Sequence, residues 1–255
     1  MLTGDVETLV DAVRAGDVEA VAAMLQDGRS PDGRVEGSTA LYTAAAQGET
    51  EVALLLLEGG ADPNLRSGDQ AEGTPLCAAA CHGYLEIVSG LLAHGADADL
   101  REDDWWTPLR WAAAHGHVEV ARTLLSAGAD PDLDAPLAEA ARRGSLGVAQ
   151  VLLEAGADPT ALDPQGRTAL EIAEECAEKD LEAELVDRVE RLAGTLESGR
   201  PIDEVTTTRT PVGDGTELIS VQVSFLDGGA MGADLETGHA RIATLLRSRP
   251  APPPA

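Results

Sequence analysis

From residue 37 onward, apolar residues recur as pairs of short amphipathic runs. In the clearest pair, Leu109, Ala112 and Ala113 fall at helical spacing and stop at Gly116. A second amphipathic run, from His117 to Leu125, stops at Gly128. Thr107 followed by Pro108 predicts the first helix start, because the threonine hydroxyl caps orphan N–H groups and the proline ring presets φ. Glycine takes the left-handed conformation that ends a helix, and the Ala-Asp-Pro-Asp stretch after Gly128 turns the chain outward. Each predicted helix pair has one apolar face that only a neighbouring pair can cover.

The same grammar returns along the chain. GSTALYTAAAQGETEVALLLLEGGADPN starts at Gly37, GTPLCAAACHGYLEIVSGLLAHGADAD at Gly73 and WTPLRWAAAHGHVEVARTLLSAGADPD at Trp106. APLAEAARRGSLGVAQVLLEAGADPT follows from Ala135, and GRTALEIAEE opens a fifth unit at Gly166. Thr39, Thr74 and Thr107 are 35 and 33 residues apart. A period near 33 with this vocabulary resembles the ankyrin repeat. The resemblance implies a mainly α solenoid of helix pairs with short β-hairpin fingers. Residues 5–33, with DVETLVDAVRAG and DVEAVAAMLQDG as two helices lacking TPL, read as an opening cap. The fifth unit lacks the mid-repeat glycine, and its second helix, DLEAELVDRVERLAG from Asp180, reads as the closing cap. The predicted division is 1–197 for the repeat domain, 198–247 for a small β-hairpin and helix, and 248–255 for a disordered Pro-rich tail.

Two departures from the repeat locate a candidate site. Gly128 and Gly156 are 28 residues apart, against 33 for Gly95 and Gly128, so the fourth unit has lost about five residues from its finger. A notch is expected beside the finger of the third unit. That finger carries Trp105 and Trp106, and Trp111 follows, so all three tryptophans of the chain fall within seven positions. By resemblance to the family, Trp106 sits on the finger and faces a partner, whereas Trp111 packs between repeats. The competing reading has the Trp105 and Trp106 pair filling the notch. The family also presents, towards its groove, the residues before the mid-repeat glycine: Gln47, His82, His115, Arg142 and Arg143. With Arg110 and the tryptophans, those of repeats three and four form a small basic and aromatic island, the composition of interface hot spots. The alternative for the arginines is intramolecular pairing with Glu102, Asp103, Asp104 or Glu139.

Composition narrows the function classes. With 18 basic against 45 acidic residues the formal charge is −27, which excludes a basic nucleic-acid-binding face. Aromatic residues are only 2% of the chain, so burial rests on Ala, Val and Leu, which suit thin helical layers. Cys77, Cys81 and Cys176 show no extracellular spacing, and the N-terminus has no basic n-region, so a reducing cytoplasm is the expected compartment. No apolar run reaches the roughly 20 residues of a membrane span. Arginine dominance over lysine is what a GC-rich, bacterial genome would write.

No phosphate-binding glycine loop and no H-E-x-x-H is present. Cys77, Cys81, His82 and His115 contain ligand types for zinc, but the cysteines match small buried positions of the family, so no metal or cofactor is expected. The HGHVEV string around His115 and His117 is the ordinary turn between paired helices. The paired acids Glu174 and Glu175 would need a closed pocket to act as acid and base. After Ser198 the pattern changes to period two around Pro-Val-Gly-Asp-Gly, predicting a hairpin, followed by a helix in LETGHARIATLLRS. The sequence therefore predicts an adaptor that binds a protein through Trp105, Trp106, Arg110, His115, Arg142, Arg143 and His82. Two other classes stay open: an enzyme or enzyme accessory with a small-molecule pocket at the notch, and self-association through the C-terminal segment.

Overall fold

The computed structural model describes residues 8–68, 73–102, 106–179, 182–183, 185–187, 189, 202–212, 216–225 and 230–249. The chain forms two compact units, Met1–Pro136 and Leu137–Ala255.

The first unit opens with α1 (Leu9–Arg14) and α2 (Val18–Gln26), and a two-stranded finger, β1 (Arg34–Val35) with β2 (Ser38–Thr39). Helix pairs α3 (Ala40–Gln47) and α4 (Thr50–Glu58), α5 (Pro75–His82) and α6 (Leu85–Ala93), and α7 (Pro108–His115) and α8 (Val118–Ser126) follow. The threonines start these helices as the sequence predicts. The Thr39, Thr74 and Thr107 hydroxyls accept from the backbone N–H groups of Tyr42, Cys77 and Arg110 at 3.2–3.3 Å. Each such cap contributes about 1 kcal/mol. Gly48, Gly83 and Gly116 end the first helices at φ of 76° to 78°, the left-handed region that favours glycine. α1, α3, α5 and α7 pack in one layer, and α2, α4, α6 and α8 in a second. Between them lie Leu41, Leu56, Leu76, Ile87, Leu91, Leu109 and Leu124, each almost fully buried.

The Ala-Asp-Pro-Asn motif has a specific role. Within a repeat Asp62 accepts from the Asn64 N–H at 2.9 Å, an Asx turn that redirects the chain. Between repeats the N–H groups of Asp62, Asp97 and Asp130 donate to the side chains of Asp32, Asn64 and Asp99 at 2.8–3.0 Å. One short polar side chain per unit thus ties each loop to the next.

Where the fourth unit has lost its finger, the chain turns through Asp134 and Ala135, both non-glycine residues at positive φ (61° and 56°). Such conformations cost of order 1 kcal/mol each and persist only when held by their surroundings. Here the buried Asp134 carboxylate receives the Arg101 guanidinium through two bonds of 2.8 and 2.9 Å. At this turn the short unit is closed by a bidentate ion pair. Trp105, expected either at a contact or in the notch, lies outside the described residues, as do Asp103 and Asp104.

The second unit contains α9 (Pro136–Arg143, whose first residue closes the first unit), α10 (Leu146–Glu154) and α11 (Ala169–Ala177). Asp163, before α11, is a buried hub. It accepts from the N–H groups of Arg167 and Gln165 at 2.8 and 3.0 Å and from the guanidinium groups of Arg142 and Arg167 at 3.1 and 3.2 Å. Burial alone would raise its pKa, but these donors outweigh it and hold the carboxyl below the usual range.

Most of the helix expected from Asp180 lies outside the described residues, although positions 182–183, 185–187 and 189 are helical. The predicted hairpin is present as β3 (Ile202–Pro211) and β4 (Glu217–Phe225), and it gains a third antiparallel strand, β5 (Ala230–Glu236), giving the order β3-β4-β5. β5 takes Leu235 and Glu236, so the last helix, α12 (His239–Arg247), starts later than the sequence reading placed it. Ala-Met-Gly-Ala-Asp has weak strand propensity, and pairing to β4 overrides it. Ile219, Val221 and Val223 alternate inward onto Leu185 and Val189, which gives the sheet its own core.

Candidate functional site

α7 positions the residues on which the site rests. Because α7 is anchored at Thr107 and stopped at Gly116, its length is fixed, and Trp111 and His115 fall one turn apart on one face. The finger bridge between Glu102 and Trp106, with N–H groups donating both ways at 2.8 and 3.2 Å, sets Trp106 over the start of that face.

The rings form a continuous row. Trp106 stacks on Trp111 with centroids 4.2 Å apart, Trp111 on His115 at 5.6 Å, and His115 on His117 at 6.0 Å. The Arg110 guanidinium lies 4.1 Å from the centre of the Trp106 ring. A cation over an indole face is worth about 0.5–2 kcal/mol depending on its desolvation. Arg110, expected as a contact residue, is 9% exposed, with its guanidinium against the Trp106 ring. Trp111 was expected in the core, yet its ring is partly exposed while its Nε1 is buried without an acceptor among the described residues.

His115 is exposed, with Nδ1 3.1 Å from the Trp111 carbonyl, within reach to donate to it. Nε2 is 4.0 Å from Cys81 Sγ. Burial, with the nearby Glu102 carboxylate, pushes the Cys81 thiol pKa up, so this cysteine lacks the thiolate character of an activated nucleophile. Cys77 is more deeply buried and is pushed up further. His82 is exposed and tilts against Tyr84 at 5.5 Å. Among the described residues no three His, Cys, Asp or Glu side chains are grouped to hold a metal ion.

Arg142 and Arg143 belong to the second unit and are already engaged there. Arg142 is shared between Asp163 at 3.1 Å and Glu139 at 3.8 Å. Arg143, with its side chain 9% exposed, donates to both the carbonyl and the carboxylate of Asp234, and lies 3.9 Å from Glu236. Both arginines are paired within the chain, but of the acids weighed from sequence only Glu139 takes part, with Arg142. For Arg143 the acids come from β5, some ninety residues away, which no local sequence pattern signals. A shallow open depression of about 300 Å³ lies on the sheet, lined by Thr206, Thr208, Ser220, Gln222, Gly232 and Asp234 among others.

Comparison with known proteins agrees with the repeat grammar. Family models described as ankyrin repeats (three copies) match residues 5–67 and 65–135, and a model of a single ankyrin repeat matches residues 133–164. The chain belongs to the ankyrin-repeat family. Among solved structures, an ankyrin repeat domain from Acinetobacter baumannii AYE is 33% identical, with 66% of this chain and 90% of that one covered and a TM-score of 0.61. The ankyrin repeat domain of human ASB11 is 31% identical over 64% of this chain and 75% of that one, with a TM-score of 0.58. That of Bcl-3, a member of the IkappaB protein family, is 30% identical over 67% and 80%, with a TM-score of 0.59. Ankyrin repeats are in general protein–protein interaction modules. Among the described residues no helix is long and apolar enough to cross a membrane.

Proposed function

We propose that the protein is an adaptor that binds a protein partner along the groove and finger of its third repeat. The contact surface is Trp106, Trp111 and His115, extended by His82 on the second repeat and by Trp105, the sequence neighbour of Trp106. Arg110 holds Trp106 in place. Arg142 and Arg143 are left out of the contact, because their charges are spent within the second unit. The single observation that carries this reading is the partly exposed row of stacked rings in a chain with 2% aromatic residues. Aromatic surface of this kind is costly to leave in water and characteristic of interface centres. The matching partner presents a patch that accepts aromatic rings.

None of the three cysteines is in a disulfide, which supports a reducing, cytoplasmic setting. Self-association through the tail would use β3, since β5 is engaged by Arg143, and it would show as a mass that rises with concentration.

The test is site-specific photo-crosslinking in lysate of the source organism, with the photoreactive residue at position 115, at position 82, or at the exposed Arg122 on α8. A common partner trapped at 115 and 82 but not at 122 supports the groove assignment. Equal trapping at 122, or capture unaffected by Trp106→Ala in a variant whose circular dichroism is unchanged, overturns it.

A further inference from the structure

In the first unit Gly48 and Gly83 are each covered by the residue that follows the next mid-repeat glycine. The Tyr84 ring lies 2.6 Å from where a Cβ on Gly48 would stand, and the His117 ring 2.7 Å from the same point on Gly83. His117 Nε2 also lies 3.0 Å from the carbonyl of Cys81, two residues before Gly83. At Gly144 the same arrangement recurs with a remote residue. The His239 ring is 2.6 Å from the corresponding point, and its Nε2 is 3.2 Å from the carbonyl of Arg142, two residues before Gly144.

The likeness extends through the helix. GHVEVARTLL from Gly116 and GHARIATLLR from Gly238 align without a gap. Buried Val120, Ala121 and Leu124 answer to buried Ile242, Ala243 and Leu246. α12 packs on α11 and α10, just as α8 packs on α7 and α6. Thr168, which caps α11, precedes position 177 by the same nine residues that separate Thr107 from Gly116.

We infer that α12 is the second helix of the fifth ankyrin repeat, and that residues 177–237 are an insertion between the two helices of that repeat. The glycine that the fifth unit lacks in sequence is Gly238. Its N–H donates to the Gly144 carbonyl at 3.0 Å, although its φ of −74° differs from that of its counterparts because the chain arrives from a strand rather than a helix. The family models stop at residue 164, ahead of a repeat whose halves are separated. The insertion also provides an occupant for the fourth repeat: β5 lies against Arg143, the position that faces the groove in the other repeats, and fills it with Asp234 and Glu236.

The physical rationale has two parts. A terminal helix pair needs its apolar face covered, and α12 packs on α10 and α11, whose Leu152, Ile172 and Ala173 are buried. A long insertion is tolerated because loop-closure entropy grows only logarithmically with length, and this one has a core of its own.

Two deletions and two substitutions test the inference by hydrogen exchange. In the first deletion residues 177–237 are excised so that Cys176 joins Gly238; in the second the chain ends at Thr237. The excised protein is expected to keep amide protection in α10 and α11 within about tenfold of the parent, and the truncated one to lose about a hundredfold or more. Loss of protection on excision, or its retention on truncation, overturns the inference. In the full chain, Ile242→Ala should lower protection in α11 while Val221→Ala lowers it in the sheet alone. The reverse pattern overturns the inference even if the excised protein does not fold.

Discussion

His115 and Arg143 hold the same place in successive repeats, directly before the mid-repeat glycine, and their surroundings are opposite. His115 is exposed at the end of a row of rings. Arg143 has its side chain largely covered, bonded to Asp234 of β5 and 3.9 Å from Glu236 of the same strand. Repeat register decides where a side chain points, and what else the chain lays over that place decides whether it can meet a partner. A groove position is therefore not a contact residue until the rest of the fold has been accounted for.

That comparison can be broken most severely at its glycines. Gly83→Ala must push aside a histidine ring from a positive φ, at about 1–2 kcal/mol, whereas Gly144→Ala meets the Glu236 backbone as well, at about 3 kcal/mol. Urea unfolding of the two variants should separate by that difference, and equal values would mean that β5 does not rest on the fourth repeat.

Next in size is Asp163→Ala, which strands the Arg142 and Arg167 guanidinium groups. Both arginines are more than a third exposed, so the loss should be about 2 kcal/mol rather than the 3–5 of a fully buried pair. Asp163 also makes the second unit acid-sensitive. Its folded pKa is depressed, so its contribution is complete above the unfolded value near 4 and is lost as pH falls through the folded one. An acid titration should therefore loosen wild type below about pH 4 and act less on Asp163→Asn.

The direct comparison is smaller. Arg143→Ala should cost about 1–2 kcal/mol and expose the β5 amides to exchange, and His115→Ala should stay within about 0.5 kcal/mol. A His115→Ala protein that loses as much as Arg143→Ala would place that ring in the core and remove it from the proposed contact. Smallest is Asp99→Asn. Burial, with Asp130 and Asp97 nearby, raises the Asp99 pKa, so its ionised form costs stability as pH rises. Asparagine, already used at position 64, keeps the acceptor without the charge, and a gain of a few tenths of a kcal/mol in a thermal melt at neutral pH is expected.

The repeats were legible because each carries its own punctuation. Thr107, Pro108, Gly116 and Gly128 state a helix pair locally, and the Asp-Pro-Asn turn states the link. Trp106 and His115 could be placed from that register alone. What stayed hidden depends on partners distant in sequence. Arg143 reads as a surface cation until Asp234 arrives, and Arg110 as a contact until the Trp106 ring covers it. β5 carries Gly232 and Ala233 and has no strand signature apart from β4. The GH dipeptide at Gly238 was visible, and the intervening insertion broke the period that would have given it meaning.

The divided fifth repeat also sets an order of events during synthesis. A ribosome releases α11 well before α12, so the apolar side of α11 must wait, uncovered, while the whole insertion is translated. Only when residues 238–249 emerge can the stack be sealed. Until then the nascent second unit exposes a bare helix face.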